Sequence, residues 1–214
     1  MPLTHRPFHL GPLDNNTFIV VDVATREAAV IDVGFEPETI MEALRESGVK
    51  VRYLLNTHAH YDHVAGMGEV QRTLGGEYWL HPADRPLLDA VNQQAAAFAF
   101  PRIDPPRDAH DLADGQRIAL GEETIEVIHT PGHSPGGVCF RWQDWLWVGD
   151  TLFAGSIGRT DLPGGSFEVL ERAIRDRLFP LGDGLQVFTG HGPFTTIGRE
   201  RLTNPFVGEG AGRA

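Results

Sequence analysis

Three histidines and an aspartate fall within six residues, His58-Ala59-His60-Tyr61-Asp62-His63, directly after the apolar run Val51-Arg52-Tyr53-Leu54-Leu55. The run reads as a buried strand, and Val64-Ala65-Gly66-Met67-Gly68 beyond the loop reads as the way into a helix. The end of a buried strand holds side chains in fixed positions, which a metal site requires. Imidazole nitrogen and carboxylate oxygen are good ligands for zinc and other first-row ions. A lone His-x-His arises readily on a surface, but with Asp62-His63 added a plain polar loop is a poor account of this stretch.

Three further segments have the same form. Thr130-Pro131-Gly132-His133-Ser134-Pro135 sets a histidine in a rigid turn after a strand. Trp145-Leu146-Trp147-Val148-Gly149-Asp150 ends a wholly apolar strand on an aspartate, where a bare charge is costly and a metal removes the cost. Val187-Phe188-Thr189-Gly190-His191-Gly192 puts a histidine between glycines after another strand. Singly, His133 and His191 also read as turn residues and Asp150 as a helix N-cap. Together, four strand ends supply five histidines and two aspartates. His5, His9, His81, His110 and His129 lack this context and read as structural or surface residues.

The rest of the pattern frames these loops. Thr17–Asp22 and Ala28–Asp32 are β-rich and flank a polar turn, which predicts a hairpin. Pro37 opens a helix to Ser47, with Gly48 as its stop. A helix is expected from the His58–His63 loop to about Leu74, then a strand over Glu77–Leu80 and helical residues over 82–100. Three prolines exclude regular structure in residues 98–107, which read as a lid over a site or as a crossover pinned to the core. Strands are predicted at Arg117–Leu120, Glu123–His129, Gly137–Trp142, Leu146–Val148 and Leu185–Thr189. Helices are predicted at Phe167–Leu178, capped by Ser166, and around Ile197–Leu202. The repeated order of strand and helix suggests two face-to-face sheets with helices outside, in a single domain over residues 1–214.

Charge and composition narrow the partners. The formal net charge is −11 and no block of Lys or Arg occurs, which argues against nucleic-acid or anionic-membrane partners and leaves a small-molecule substrate. No apolar stretch is long enough to span a membrane, and Met1–Pro7 lacks the apolar core of a secretory signal, so a cytoplasmic protein is expected. The single cysteine, Cys139, lies in an apolar strand and reads as a buried, inert thiol. Monomer and homo-oligomer both remain open.

The order His-x-His-x-Asp-His, then His, Asp and His, resembles the metallo-β-lactamase superfamily over nearly the whole chain. Gly149-Asp150-Thr151-Leu152-Phe153 and Gly158-Arg159-Thr160-Asp161 look like the glyoxalase II group and its persulfide dioxygenase relatives, and Gly190-His191-Gly192-Pro193-Phe194-Thr195-Thr196 with Asn204-Pro205-Phe206 looks most like the short bacterial glyoxalase II (hydroxyacylglutathione hydrolase) type. The resemblance implies an αβ/βα four-layer sandwich of two mixed sheets, with the site at one edge. It further implies two divalent ions, zinc first, with iron or manganese as other choices. One ion would take His58, His60 and His133; the second would take Asp62, His63 and His191; Asp150 would bridge them. Asp62 would also hold a proton of the attacking water.

The activity so implied is hydrolysis of small acyl thioesters. The main alternative is an iron persulfide dioxygenase, which would need only His58, His133 and Asp150; a lactonase is a further one. Arg159 is the candidate for an anionic substrate group, against a surface salt bridge with Asp161 or Glu168. The longer glyoxalase II enzymes bind glutathione with a C-terminal helical domain, whereas little chain follows His191 here, so weak dependence on the glutathione moiety is expected.

Overall fold

The computed structural model describes residues 1–211. Its first half runs β1 (Leu3–Leu10), β2 (Asn15–Asp22), β3 (Glu27–Ile31), α1 (Pro37–Ser47), β4 (Lys50–Leu55), α2 (Tyr61–Val64), α3 (Met67–Leu74), β5 (Glu77–Leu80), α4 (Arg85–Asp89), α5 (Val91–Ala97) and β6 (His110–Asp111). The second runs β7 (Arg117–Leu120), β8 (Glu123–His129), β9 (Val138–Trp142), β10 (Trp145–Gly149), the small hairpin β11 (Leu152–Phe153) and β12 (Ser156–Ile157), α6 (Phe167–Ala173), β13 (Gln186–Thr189), β14 (Thr195–Thr196) and α7 (Ile197–Thr203).

Each half builds one six-stranded mixed sheet, ordered β1-β2-β3-β4-β5-β6 and β14-β13-β10-β9-β8-β7. In the first, β1, β2 and β3 are antiparallel while β4, β5 and β6 continue parallel to β3. In the second, only the β10–β13 pair is parallel.

Side-chain alternation along the strands makes the layers. Ala29 and Ile31 of β3 face the second sheet, meeting Val127, Phe140 and Trp147 in the central core. Their neighbours Ala28 and Val30 face outward, under Ile40 and Leu44 of α1 and Met67 and Val70 of α3. On the far side Leu146, Val148 and Cys139 pack under Leu170, Ile174, Leu178 and Ile197. The order helix, sheet, sheet, helix is the expected four-layer sandwich. Cys139 is fully buried, and burial pushes its thiol up to about 11, so it is inert at neutral pH.

Two departures have local causes, and the crossover is a third local feature. The helix expected after the histidine loop is broken into α2 and α3 at Gly66, whose N–H donates to Val33 O. A Cβ there would lie 2.7 Å from Val33 and 2.9 Å from Gly34 O, so the close approach of this turn to the β3 end requires glycine. The helix predicted over Phe167–Leu178 loosens after Ala173 into a π turn, Ile174–Leu178; its Ser166 cap is present. Residues 101–107 form a pinned crossover: Tyr61 Oη donates to Pro101 O, Asn92 bonds both N and O of Ile103, and Arg72 pairs with Asp104. Among the described residues no helix is long and apolar enough to cross a membrane.

Candidate metal centre

Strand direction gathers the four predicted loops at one edge. β4, β8, β10 and β13 all end there, because β8 and β10 are both antiparallel to β9 and β13 is parallel to β10. Backbone bonds across the two sheets hold the edge together: Val138 N donates to Thr57 O and Asn16 N to Gly190 O.

Two sets of donor atoms meet there, His58 with His60 and His133, and Asp62 with His63 and His191, each within 4.8 Å of one another. His133 Nε2 lies 3.2 Å from His58 Nε2 and 2.9 Å from His60 Nδ1. His191 Nε2 lies 3.2 Å from both His63 Nε2 and Asp62 Oδ2. Asp150 stands between the sets, with Oδ1 3.3 Å from His63 Nε2 and Oδ2 3.5 Å from His133 Nε2 and 3.4 Å from His191 Nε2. All seven predicted residues are therefore in one cluster.

The hydrogen bonds outside the cluster fix which ring nitrogen faces inward. His133 Nδ1 donates to Arg159 O at 2.7 Å and His191 Nδ1 to Leu13 O at 2.8 Å, since a carbonyl can only accept. His63 Nδ1 donates to Asp32 Oδ2 at 3.0 Å. Thr57 Oγ1 donates to Asp32 Oδ2 and so accepts from His58 Nδ1. These four rings thus turn Nε2 into a shared space, the arrangement that orients histidines toward a metal. Asp150 Oδ1 is buried with no hydrogen-bond donor. Nitrogens and carboxylates crowded together this way repel unless positive charge lies among them, supplied by protons on the rings or by a metal ion. Nitrogen and carboxylate donors of this kind fit divalent first-row ions.

Two buried carboxylates that sequence reasoning left out hold the loops in place. Asp32 accepts from Asn56 Nδ2, Thr57 N, Thr57 Oγ1 and His63 Nδ1. It also lies within 4.8 Å of donor atoms of His58 and His63, but these bonds already occupy its oxygens, which makes it a support. Asp84 accepts from Ala59 N, Ser134 Oγ and Gly136 N, tying the histidine loop of the first sheet to the His133 loop of the second. Asn15, also missed, donates to Asp62 Oδ2 at 3.1 Å. Gly190 leaves room for the cluster: a Cβ there would lie 2.2 Å from Asp150 Oδ1.

Arg159 borders the cleft over the cluster, but its guanidinium is held by Asp161 through bonds of 2.7 and 2.8 Å. The remaining histidines stay apart from the cluster. His5 packs against Trp145, His9 bonds Asn16, His81 and His129 stack on each other, and His110 lies on Trp79.

The charge state of the cluster gives a titration signature. Burial pulls His191 down, but Asp150 and Asp62 outweigh it and raise it to about 10; His63 is likewise raised well above its ordinary value. Without a cation these rings hold protons at neutral pH. The stability they contribute is fully present below about pH 6.5 and is lost as pH rises toward the folded value. A metal ligand must give up that proton. Loading divalent metal at pH 7.5 is therefore expected to release at least one proton per chain, read by calorimetry in buffers of different ionisation enthalpy. Release of none would contradict the protonated state inferred for His191.

The comparisons with known proteins agree with this geometry. The family model of the metallo-beta-lactamase superfamily matches residues 10–191. Hydroxyacylglutathione hydrolase GloC of Haemophilus influenzae is 37% identical over 188 residues, covering 85% of this chain and 88% of that protein. Among solved structures, BLEG-1 B3 metallo-beta-lactamase is 35% identical with a TM-score of 0.87, covering 95% of this chain and 99% of that one. TTHA1623 in a di-iron-bound form is 37% identical with a TM-score of 0.87, covering 94% and 99%.

Proposed function

The chain belongs to the metallo-β-lactamase superfamily, and from that premise we propose that it is a two-metal hydrolase of small acyl thioesters of the S-acylglutathione type. The observation that carries the reading is the position of Asp150, whose carboxylate lies within 3.5 Å of His133 from one donor set and of His63 and His191 from the other. His58, His60 and His133 would hold one ion, Asp62, His63 and His191 the other, and Asp150 both. The similarity to GloC supports the thioester, and the similarity to a di-iron protein supports a pair of ions. Zinc is the proposed metal, with iron and manganese open to the same donors.

Bound divalent ions would polarise the acyl carbonyl and acidify water toward neutral pKa. The chain's residues do the rest. Asp62, oriented by Asn15, is placed to take a proton from the attacking water at its carboxylate. Its oxygens stay ionised at neutral pH: burial pushes Asp62 up, but His63 and His191 outweigh it and hold it low. The cleft above the cluster, about 370 Å³, has room for an acyl group, and Arg159 on its border is the one proposed contact for a substrate carboxylate.

Metal-free protein is expected to take up two ions per chain, counted by titration and elemental analysis, and then to cleave acyl thioesters without consuming oxygen. Saturation at one ion, with His63 and His191 dispensable and oxygen consumed from a persulfide, would favour the iron dioxygenase that His58, His133 and Asp150 could serve. A lactone and a β-lactam belong in the same assay, the latter because of the likeness to BLEG-1; turnover of either well above the thioester would replace the proposed substrate.

A further inference from the structure

Two clefts diverge from Asp150 and His191. The first, about 370 Å³, also touches His60, Asp62 and His133 and is walled by Leu13, Tyr61, Phe98, Phe100 and Leu162. The second, about 530 Å³, runs past Phe153, Ser156 and Ile157, and Arg159 borders both. Only the first reaches residues of both donor sets on each side of Asp150. A carbonyl carbon that is to be attacked must lie there.

Apart from the proposed metal donors and Arg159 at the rim, the polar groups on the walls of the first cleft are already paired. The Gln94 amide accepts from Tyr61 N and donates to Ala59 O and Leu87 O. Tyr61 Oη donates to Pro101 O, and the Arg159 guanidinium is held by Asp161. What faces the substrate is ring and methyl carbon. The Tyr61 and Phe100 rings stack at 5.1 Å with 8° between planes, and Phe35 backs Phe100 at 5.3 Å. Phe98, on the wall of this cleft, is 52% exposed, a large apolar residue only partly covered by protein. Burying such carbon against a substrate is favourable, whereas a hydroxyl placed there would lose its water without gaining a partner.

Resting on the thioesterase reading, we infer that this cleft is the acyl pocket and that it selects bulky apolar acyl groups, arylacetyl or branched aliphatic, over small or hydroxylated ones. The leaving thiol then occupies the second cleft. Hydrolysis breaks the acyl C–S bond, forms a C–O bond to water, and yields a carboxylic acid and a thiol that takes up a proton.

The test holds the thiol constant. Acetyl, hydroxyacetyl and phenylacetyl thioesters of N-acetylcysteamine are compared by kcat/KM in the metal-loaded protein, and in parallel phenylacetate and acetate are compared by calorimetric binding. Phenylacetyl is expected to exceed acetyl by about 30-fold, and Phe98→Ala to cut that ratio severalfold, on the scale of apolar pocket contacts. The ratio is unaffected by metal loading or folded fraction. Equal rates and equal binding, a preference for hydroxyacetyl, or a phenylacetyl preference unchanged in Phe98→Ala would each overturn the assignment. Cleavage of no thioester, with phenylacetate still bound in preference and that preference lost in Phe98→Ala, would uphold the pocket while refuting the thioesterase reading.

Discussion

Asp150→Ala is expected to lower kcat/KM for a small acyl thioester by roughly 10⁴-fold, the scale seen when a member of an interdependent catalytic group is removed. Asp150 stands between the donor sets, with Oδ1 toward His63 and Oδ2 toward His133 and His191. Without it the proposed ions lose their shared ligand and the negative charge that offsets their repulsion. The variant should bind fewer than two ions, and its fold should persist, since no helix or sheet bond depends on this side chain. A second readout is independent of turnover. Asp150 is the largest influence raising His191, so the His191 ring in the metal-free variant should titrate well below its parental value of about 10, as read by NMR. Near-parental rate with two ions bound would sink the bridging role.

The largest expected effect on stability belongs to a residue that touches no proposed ion through a free oxygen. Asp32→Ala strands the buried donors of Asn56, Thr57 and His63 at once. Each unpaired buried donor costs about 1–3 kcal/mol. Alanine is also strained at this position, where φ is 52°, whereas aspartate and asparagine tolerate the left-handed region. Taken at the low end of that range the four donors total about 4 kcal/mol, or a Tm lower by roughly 10 °C for a chain of this size. Asp32→Asn keeps the backbone tolerance and one acceptor but turns an amide N–H toward its partners, so it should fall between parent and alanine. Chemical denaturation of the three metal-free proteins decides the matter; an unchanged midpoint for Asp32→Ala would mean that the network holds nothing up.

These two aspartates mark where sequence reading works and where it stops. Asp150 is legible because it ends an apolar strand with no local partner, so its charge demands an explanation. The five clustered histidines and Asp62 are legible because their spacing and glycine-rich turns are local. The helix Pro37–Ser47 and the strands Glu77–Leu80, Arg117–Leu120 and Glu123–His129 match residue for residue, since Pro, Gly and β-branched runs act at short range. Asp32 and Asp84 carry no such signal, because the partners that explain them lie as far as 31 and 52 residues away. β1 went unread for a different reason. It is an edge strand with Pro7 in it and polar residues at half its positions, and pairing with β2 alone makes it a strand. Arg159 was read for its charge, and its backbone carbonyl, which orients His133, leaves no trace in the sequence.

The edge position of the cluster has a consequence for a chain that has been cut. The first sheet brings His58, His60, Asp62 and His63, and the second brings His133, Asp150 and His191, so on the proposed assignment neither half holds a full set for either ion. A nick in the crossover near residues 98–107 would sever the only covalent link between the two groups of donors. From then on, keeping the ions and keeping the halves together would be one equilibrium. Dialysis of nicked protein against a chelator would then measure the affinity of one half of the molecule for the other.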